Sequence, residues 1–176
     1  MADEDTPEPV APETVAPEPV AYDFRPVVHG DMVMLARWLR EPAVAAWWRD
    51  PVAQLALIQG DLADPRMEQV IVTADGAPIA YAQIYEVHAY GAPHLADQPQ
   101  GALGIDCFAA PEGVGQGKAW LREMGDRLLQ NAMVIVTDPE PGNMRAIAAY
   151  LGAGFADRGT RLDEEGRPAR IMTRHR

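Results

Sequence analysis

Two periods of apolar and polar residues organise this chain. After Gly30-Asp31, the residues Met32, Leu35, Ala36 and Leu39 recur at three- and four-residue spacing, which predicts a helix with Asp31 as its N-cap. Pro42 opens a second helical piece through Ala45, Ala46, Trp47 and Trp48, and residues 52–60 form a further short helix. Strand-like stretches surround these. Tyr22 to Val28 is a first strand, and Met67 to Ala74 is rich in Val and Ile. Asp75-Gly76 is a hairpin turn, and Pro78 to Val87 returns with Tyr81, Gln83, Tyr85 and Val87 on one face.

Residues 88–101 lose the pattern and read as a long loop, the kind that in compact domains often carries function. Gly104 to Ala109 is a buried strand. The glycine-rich turn 113–117 then leads into a helix over 118–130. Met133 to Thr137 is a short apolar strand of a sheet interior. Asn143 caps a helix that stops at Gly152 or Gly154, and Phe155–Leu162 and Pro168–Arg174 form a last hairpin across Glu164-Glu165-Gly166. The order of elements predicts an α/β (α+β) domain with a mixed sheet.

Residues 1–20 differ from all this. Alternating prolines remove backbone donors, and six acidic residues stand there without a base, so a disordered acidic Pro/Glu/Val/Ala tail is expected over 1–20 and the folded domain over 21–176. The whole chain carries a formal net charge of −11, much of it in that segment. No basic face suggests nucleic acid, and no apolar run is long enough for a membrane span. One cysteine, Cys107, cannot form an internal disulfide framework, and no metal site is expected. With no basic and apolar leader at the N-terminus, a cytoplasmic protein is expected, as a monomer or homodimer.

Two segments carry chemistry. Val114-Gly115-Gln116-Gly117-Lys118-Ala119 turns from a strand into a helix, and the outward N–H groups there suit a pyrophosphate. Thr137-Asp138-Pro139-Glu140-Pro141-Gly142-Asn143 leads into the helix bearing Ala146, Ile147 and Tyr150, and Tyr150 shares the face of Asn143.

Asp-Pro-x-x-x-Asn-x-x-Ala-Ile-x-x-Tyr-x-x-x-Gly-Phe, preceded by the Gly-x-Gly helix start, resembles the acetyl-CoA core of GNAT acetyltransferases. Phe24-Arg25-Pro26, Trp38-Leu39, Trp47-Trp48, the run Gly76 to Tyr85 and Gly104-Ile105-Asp106 are similar, in order and spacing, to the aminoglycoside 6'-N-acetyltransferases. The resemblance spans nearly all of residues 22–176. It implies a single-domain GNAT fold: a mostly antiparallel sheet of about seven strands flanked by helices, with a splayed central pair that admits acetyl-CoA. It further implies acetyl transfer to a primary amine of a small cationic acceptor, Asp106 as base and Tyr150 as acid for the departing thiolate. Cofactor contacts are implied at Cys107, Phe108, Val114, Gly115, Gln116, Gly117, Lys118, Ala119, Asn143 and Ala146. Acceptor contacts are implied at Trp48, Tyr85, Asp138 and Glu165.

The chain departs from the family in two places. Val114 stands where many members have Arg or Gln, and Ala92 stands where an acidic antibiotic contact is expected. The second departure keeps a hydroxylysine acylase of the siderophore type, or another amine acceptor, as an alternative. A non-catalytic acyl-CoA-binding module is an alternative of another class. Cys107 is read as a small buried residue rather than a nucleophile. His88 and His94 are read as loop surface, with a place in the acceptor site the alternative.

Overall fold

The computed structural model describes residues 19–176, so most of the expected tail lies outside the described residues. The sheet has seven strands, in the spatial order Tyr22–Pro26, Met67–Ala74, Ala77–Glu86, Leu103–Ala109, Val134–Thr137, Pro168–His175 and Ala156–Leu162. The elements are β1 (Tyr22–Pro26), α1 (Met32–Leu39), α2 (Pro42–Ala45), α3 (Pro51–Gly60), β2 (Met67–Ala74) and β3 (Ala77–Glu86). Then follow α4 (Val87–Tyr90), β4 (Leu103–Ala109), α5 (Gly117–Leu128), β5 (Val134–Thr137), α6 (Met144–Gly152), β6 (Ala156–Leu162) and β7 (Pro168–His175). Every neighbouring pair is antiparallel except β4 and β5.

Side-chain alternation divides the core between the sheet faces. Ile105 and Ile135 pack with Trp120, Leu121, Met124, Ile147 and Tyr150 under α5 and α6. Tyr81 and Phe108 pack on the other face with Leu35, Trp38, Leu39 and Ile58 from α1 and α3. A third cluster joins Val87, Leu95 and Ala102 to Val134, Val136 and Ile171, covering the parallel pair from the loop side.

The β2–β3 turn forms as read: Asp75 and Gly76 both take positive φ, 48° and 82°. Three details differ from expectation. Asp31 precedes α1 but makes no side-chain cap; its carboxylate accepts from the Arg25 guanidinium at 2.7 and 2.8 Å and from the Val28 N–H at 2.9 Å. Val87 does not continue β3; it opens a helical turn and is buried in the third cluster. The 88–101 segment carries part of α4 and a 3-10 turn at Pro93–Leu95, so it is an ordered strap rather than a plain loop.

Candidate active site

The parallel pairing of β4 with β5 is confined to Leu103–Ile135 and Gly104–Val136. Both strands run on past it, to Ala109 and Thr137, and diverge. Unpaired backbone must find partners, so such a gap is a place for a ligand. Extending the register by two residues sets Asp106 opposite Asp138, both on the α1–α3 face. Cys107 and Thr137 lie on the other face, beneath α6. Tyr150 reaches the gap from that side, its Oη 3.2 Å from the Cys107 Sγ.

One cavity of about 570 Å3 occupies the α5–α6 side of the gap, lined among others by Cys107, Phe108, Gly115, Lys118, Asn143 and Tyr150. Its floor is built by close approach. A Cβ on Gly113 would stand 2.2 Å from the Ile79 carbonyl oxygen, so only glycine lets the 113–117 turn lie against β3. Gly117 opens α5, and the first N–H groups of that helix have no intrahelical acceptor. Asn143 Oδ1 accepts from the Ala146 N–H at 3.2 Å and so caps α6. Donors at a helix start, a narrow glycine floor and an apolar wall suit a phosphate-bearing thioester with a long arm.

A second cavity of about 380 Å3 adjoins the first and shares Trp47, Trp48, Cys107, Asn143, Ala146 and Tyr150 with it. Trp48, which lines both cavities, packs edge-on against the buried Tyr81 and against Phe108 of the first cavity, with ring centroids 5.0 to 5.9 Å apart. Asp106 and Asp138 face this space. The Asp106 carboxylate accepts from Gln83 Nε2 at 3.0 Å, its cross-strand partner. The Tyr81 hydroxyl lies 2.9 Å from the Gln69 Oε1 and 3.2 Å from the Gln83 Oε1. Loss of water and then the Asp138 charge push Asp106 up to about 7, against the opposing Gln83 and Tyr85 hydrogen bonds. Burial also pushes the Cys107 thiol up to about 12 and holds Tyr150 as a phenol well above the usual tyrosine range. A thiol so held is no nucleophile at neutral pH.

At the mouth, Arg49 pairs with Glu140 at 2.5 Å, joining the end of the α2 region to the β5–α6 turn, and Arg167 pairs with Asp163 at 2.8 Å within the β6–β7 turn. Glu165 does not line the cavity; it stands exposed and pairs with Arg167 at 2.7 Å, while Asp163 and Arg167 of the same turn face inward. Tyr85 is not on the lining either. It lies over Gly104, where a Cβ would be 2.4 Å from its ring, and backs Asp106 from β3. Val114, Gln116 and Ala119 also lie off the cavity lining, and Gln116 instead accepts from the Tyr22 hydroxyl at 3.3 Å. His94 is not loop surface: its side chain is 8% exposed, and its Nε2 meets the Asp138 Oδ2 at 2.6 Å.

Residues 27–161 match the family described as "Acetyltransferase (GNAT) domain", and the chain belongs to that family. It is an acetyl-CoA-dependent N-acetyltransferase. Among its relatives are the aminoglycoside N(6')-acetyltransferases type 1 of Klebsiella pneumoniae and Serratia marcescens. Each is 33% identical over 159 residues, covering 83% of this chain and 79% of the relative. The structure of AAC(6')-Ib with coenzyme A and kanamycin superposes with a TM-score of 0.76 at 32% identity, over 89% of this chain and 95% of that one. The complex of AAC(6')-Ib with paromomycin and acetyl-CoA gives a TM-score of 0.76 at 29% identity, over 89% and 94%. Among the described residues no helix is long and apolar enough to cross a membrane, and no group of three or more His, Cys, Asp or Glu could hold a metal ion.

Proposed function

We propose that this chain acetylates the 6'-amine of an aminoglycoside, with Asp106 taking the amine proton and Tyr150 returning one to the departing sulfur. The observation that carries this reading is the placement of Asp106 and Tyr150 at the β4–β5 gap, where two adjoining cavities meet and both side chains line the second. Acetyl-CoA supplies the activated acyl group. The glycine turn, the start of α5 and Asn143 position it. Asp106 is stripped of water, so its affinity for a proton matches neutral pH, which suits a base that must accept from an ammonium and release again. Tyr150 stays protonated through that range. Asp138 and the Trp48 ring receive the cationic acceptor.

One observation favours a second reading. The mouth acids Glu140 and Asp163 are each matched by an arginine, so the rim suits an acceptor bearing a carboxylate as well as an amine, such as hydroxylysine, better than a polycation. Mass spectrometry of kanamycin, tobramycin and hydroxylysine incubated with acetyl-CoA and enzyme decides between the two. One acetyl added at the 6'-amine, and lost with Asp106→Asn, supports the first. Acetylation of hydroxylysine alone moves the acceptor to the second.

A further inference from the structure

His94 belongs to the strap between β3 and β4, and Asp138 follows β5, 44 residues away along the chain. Their 2.6 Å contact is among the shorter side-chain hydrogen bonds of the molecule and has one end buried. His94 Nδ1 is buried and has no partner among the described residues. A carboxylate oxygen can only accept, so Nε2 carries a proton directed at Asp138. The rest of the strap holds the ring in place. The Arg161 Nη1 donates to the His94 carbonyl at 2.8 Å, and the same guanidinium grips Asp97 at 2.5 and 2.7 Å. Leu95 anchors the next position in the third core cluster.

Asp138 retains 23% exposure, toward the acceptor cavity. Its second oxygen is thus available to a ligand while the first is held. We propose that His94 is a positioning residue of the acceptor site: its Nε2–H fixes the Asp138 carboxylate opposite Asp106, so that the acceptor ammonium is received between two carboxylates in one geometry. This rests on the acceptor cavity and base assigned above. It also gives the strap a task, because the strap carries the ring that sets the second carboxylate.

The groups around Asp106 are Gln83, Tyr81 and Tyr85 from β3, Asp138 beyond β5, His94 from the strap, Cys107 next to it on β4, and Tyr150 from α6. Asp138 raises the proton affinity of Asp106 and His94 lowers it. Without His94 the Asp138 charge is felt undiminished, and Asp106 holds its proton to higher pH.

The test compares wild type, His94→Leu, which has no donor, and His94→Gln, whose amide reaches the Nε2 position. In wild type, kcat/KM for the acceptor rises with pH through the titration of Asp106. In His94→Leu that limb moves up by about half a pH unit or more, and the acceptor KM rises roughly tenfold while the KM for acetyl-CoA stays put. His94→Gln restores most of both. An unmoved limb in His94→Leu, or an equal fall in kcat for both variants with the limb in place, overturns the proposal. A second readout needs no acceptor: nitrogen NMR of the His94 ring and carbon NMR of the Asp106 carboxyl in the free enzyme. A protonated Nε2, and an Asp106 midpoint that climbs in His94→Leu, support the proposal. A bare Nε2 in the wild type, or an unchanged midpoint, overturns it. If wild type acetylates no aminoglycoside, the acceptor reading fails by itself, and the two NMR measurements still decide the role of His94.

Discussion

Asp106 is the residue where function opposes stability. In the fold its carboxyl titrates near 7 rather than near the ordinary 3.8, because burial and Asp138 disfavour its charge. The folded state therefore binds the proton more tightly than the unfolded chain. Stability linked to this group is complete below 3.8 and is lost as pH rises through about 7. Asp106→Asn carries no such charge, so it should be catalytically dead yet more stable than wild type at pH 8, by on the order of 1–3 kcal/mol, with the difference vanishing below pH 4. Thermal melts across pH check it; equal melting points at pH 8 would show that the carboxylate is not desolvated. Gln83 acts on the same group in the opposite sense. Gln83→Met removes a hydrogen bond to the charged form, so the acidic limb of kcat/KM should move upward. Cys107→Ala should keep most of the activity, since its thiol stays protonated far above neutral pH; loss of acetyl transfer beyond about tenfold would point to a covalent role.

Between elements, one cross-strand pair makes the site buildable. Tyr85 on β3 lies across Gly104 on β4, and only a residue without Cβ leaves room for the ring. Gly104→Ala should push Tyr85 aside, cost about 1–3 kcal/mol in denaturant unfolding and raise the acceptor KM by loosening the backing of Asp106. Unchanged stability would mean the ring swings away freely. The elements themselves were legible in the sequence because their signals are local. Asp75-Gly76 names its turn, Asn143 names its cap, and Gly117-Lys118 begins a helix. Asp106 and Tyr150 stand out in the sequence only by their place in a family motif. Gln83 was seen on the right strand face, but its bond to Asp106 depends on a register between strands 23 residues apart. The Asp31 cap failed because a nearby guanidinium, Arg25, competes for the same oxygens. Glu165 failed because a two-residue shift along a turn exchanges the inward and outward positions, placing Asp163 and Arg167 at the cavity.

Across the whole molecule, the acceptor side is held by contacts between segments distant in sequence, and these left no trace in any local pattern. The strap from Val87 to Ala102 has the composition of a surface loop, yet Val87, Leu95 and Ala102 bury against β5 and β7. Arg161 on the edge strand β6 ties it down through Asp97, whose carboxyl it holds down to about 2. Since Asp97 is largely exposed, the ion pair adds little to global stability. Its effect is local: it fixes the strap segment that carries His94. Arg161→Met keeps the apolar stem and removes the grip. It should leave the melting temperature within a few degrees of wild type, because surface pairs contribute about 1 kcal/mol or less. The acceptor KM should rise several-fold, with the KM for acetyl-CoA unchanged, because α5 and α6 build the cofactor side without the strap. Hydrogen exchange should quicken over 91–101 and nowhere in α5 or α6. Faster exchange there with an unaltered acceptor KM would mean that the acceptor site does not depend on the strap being held.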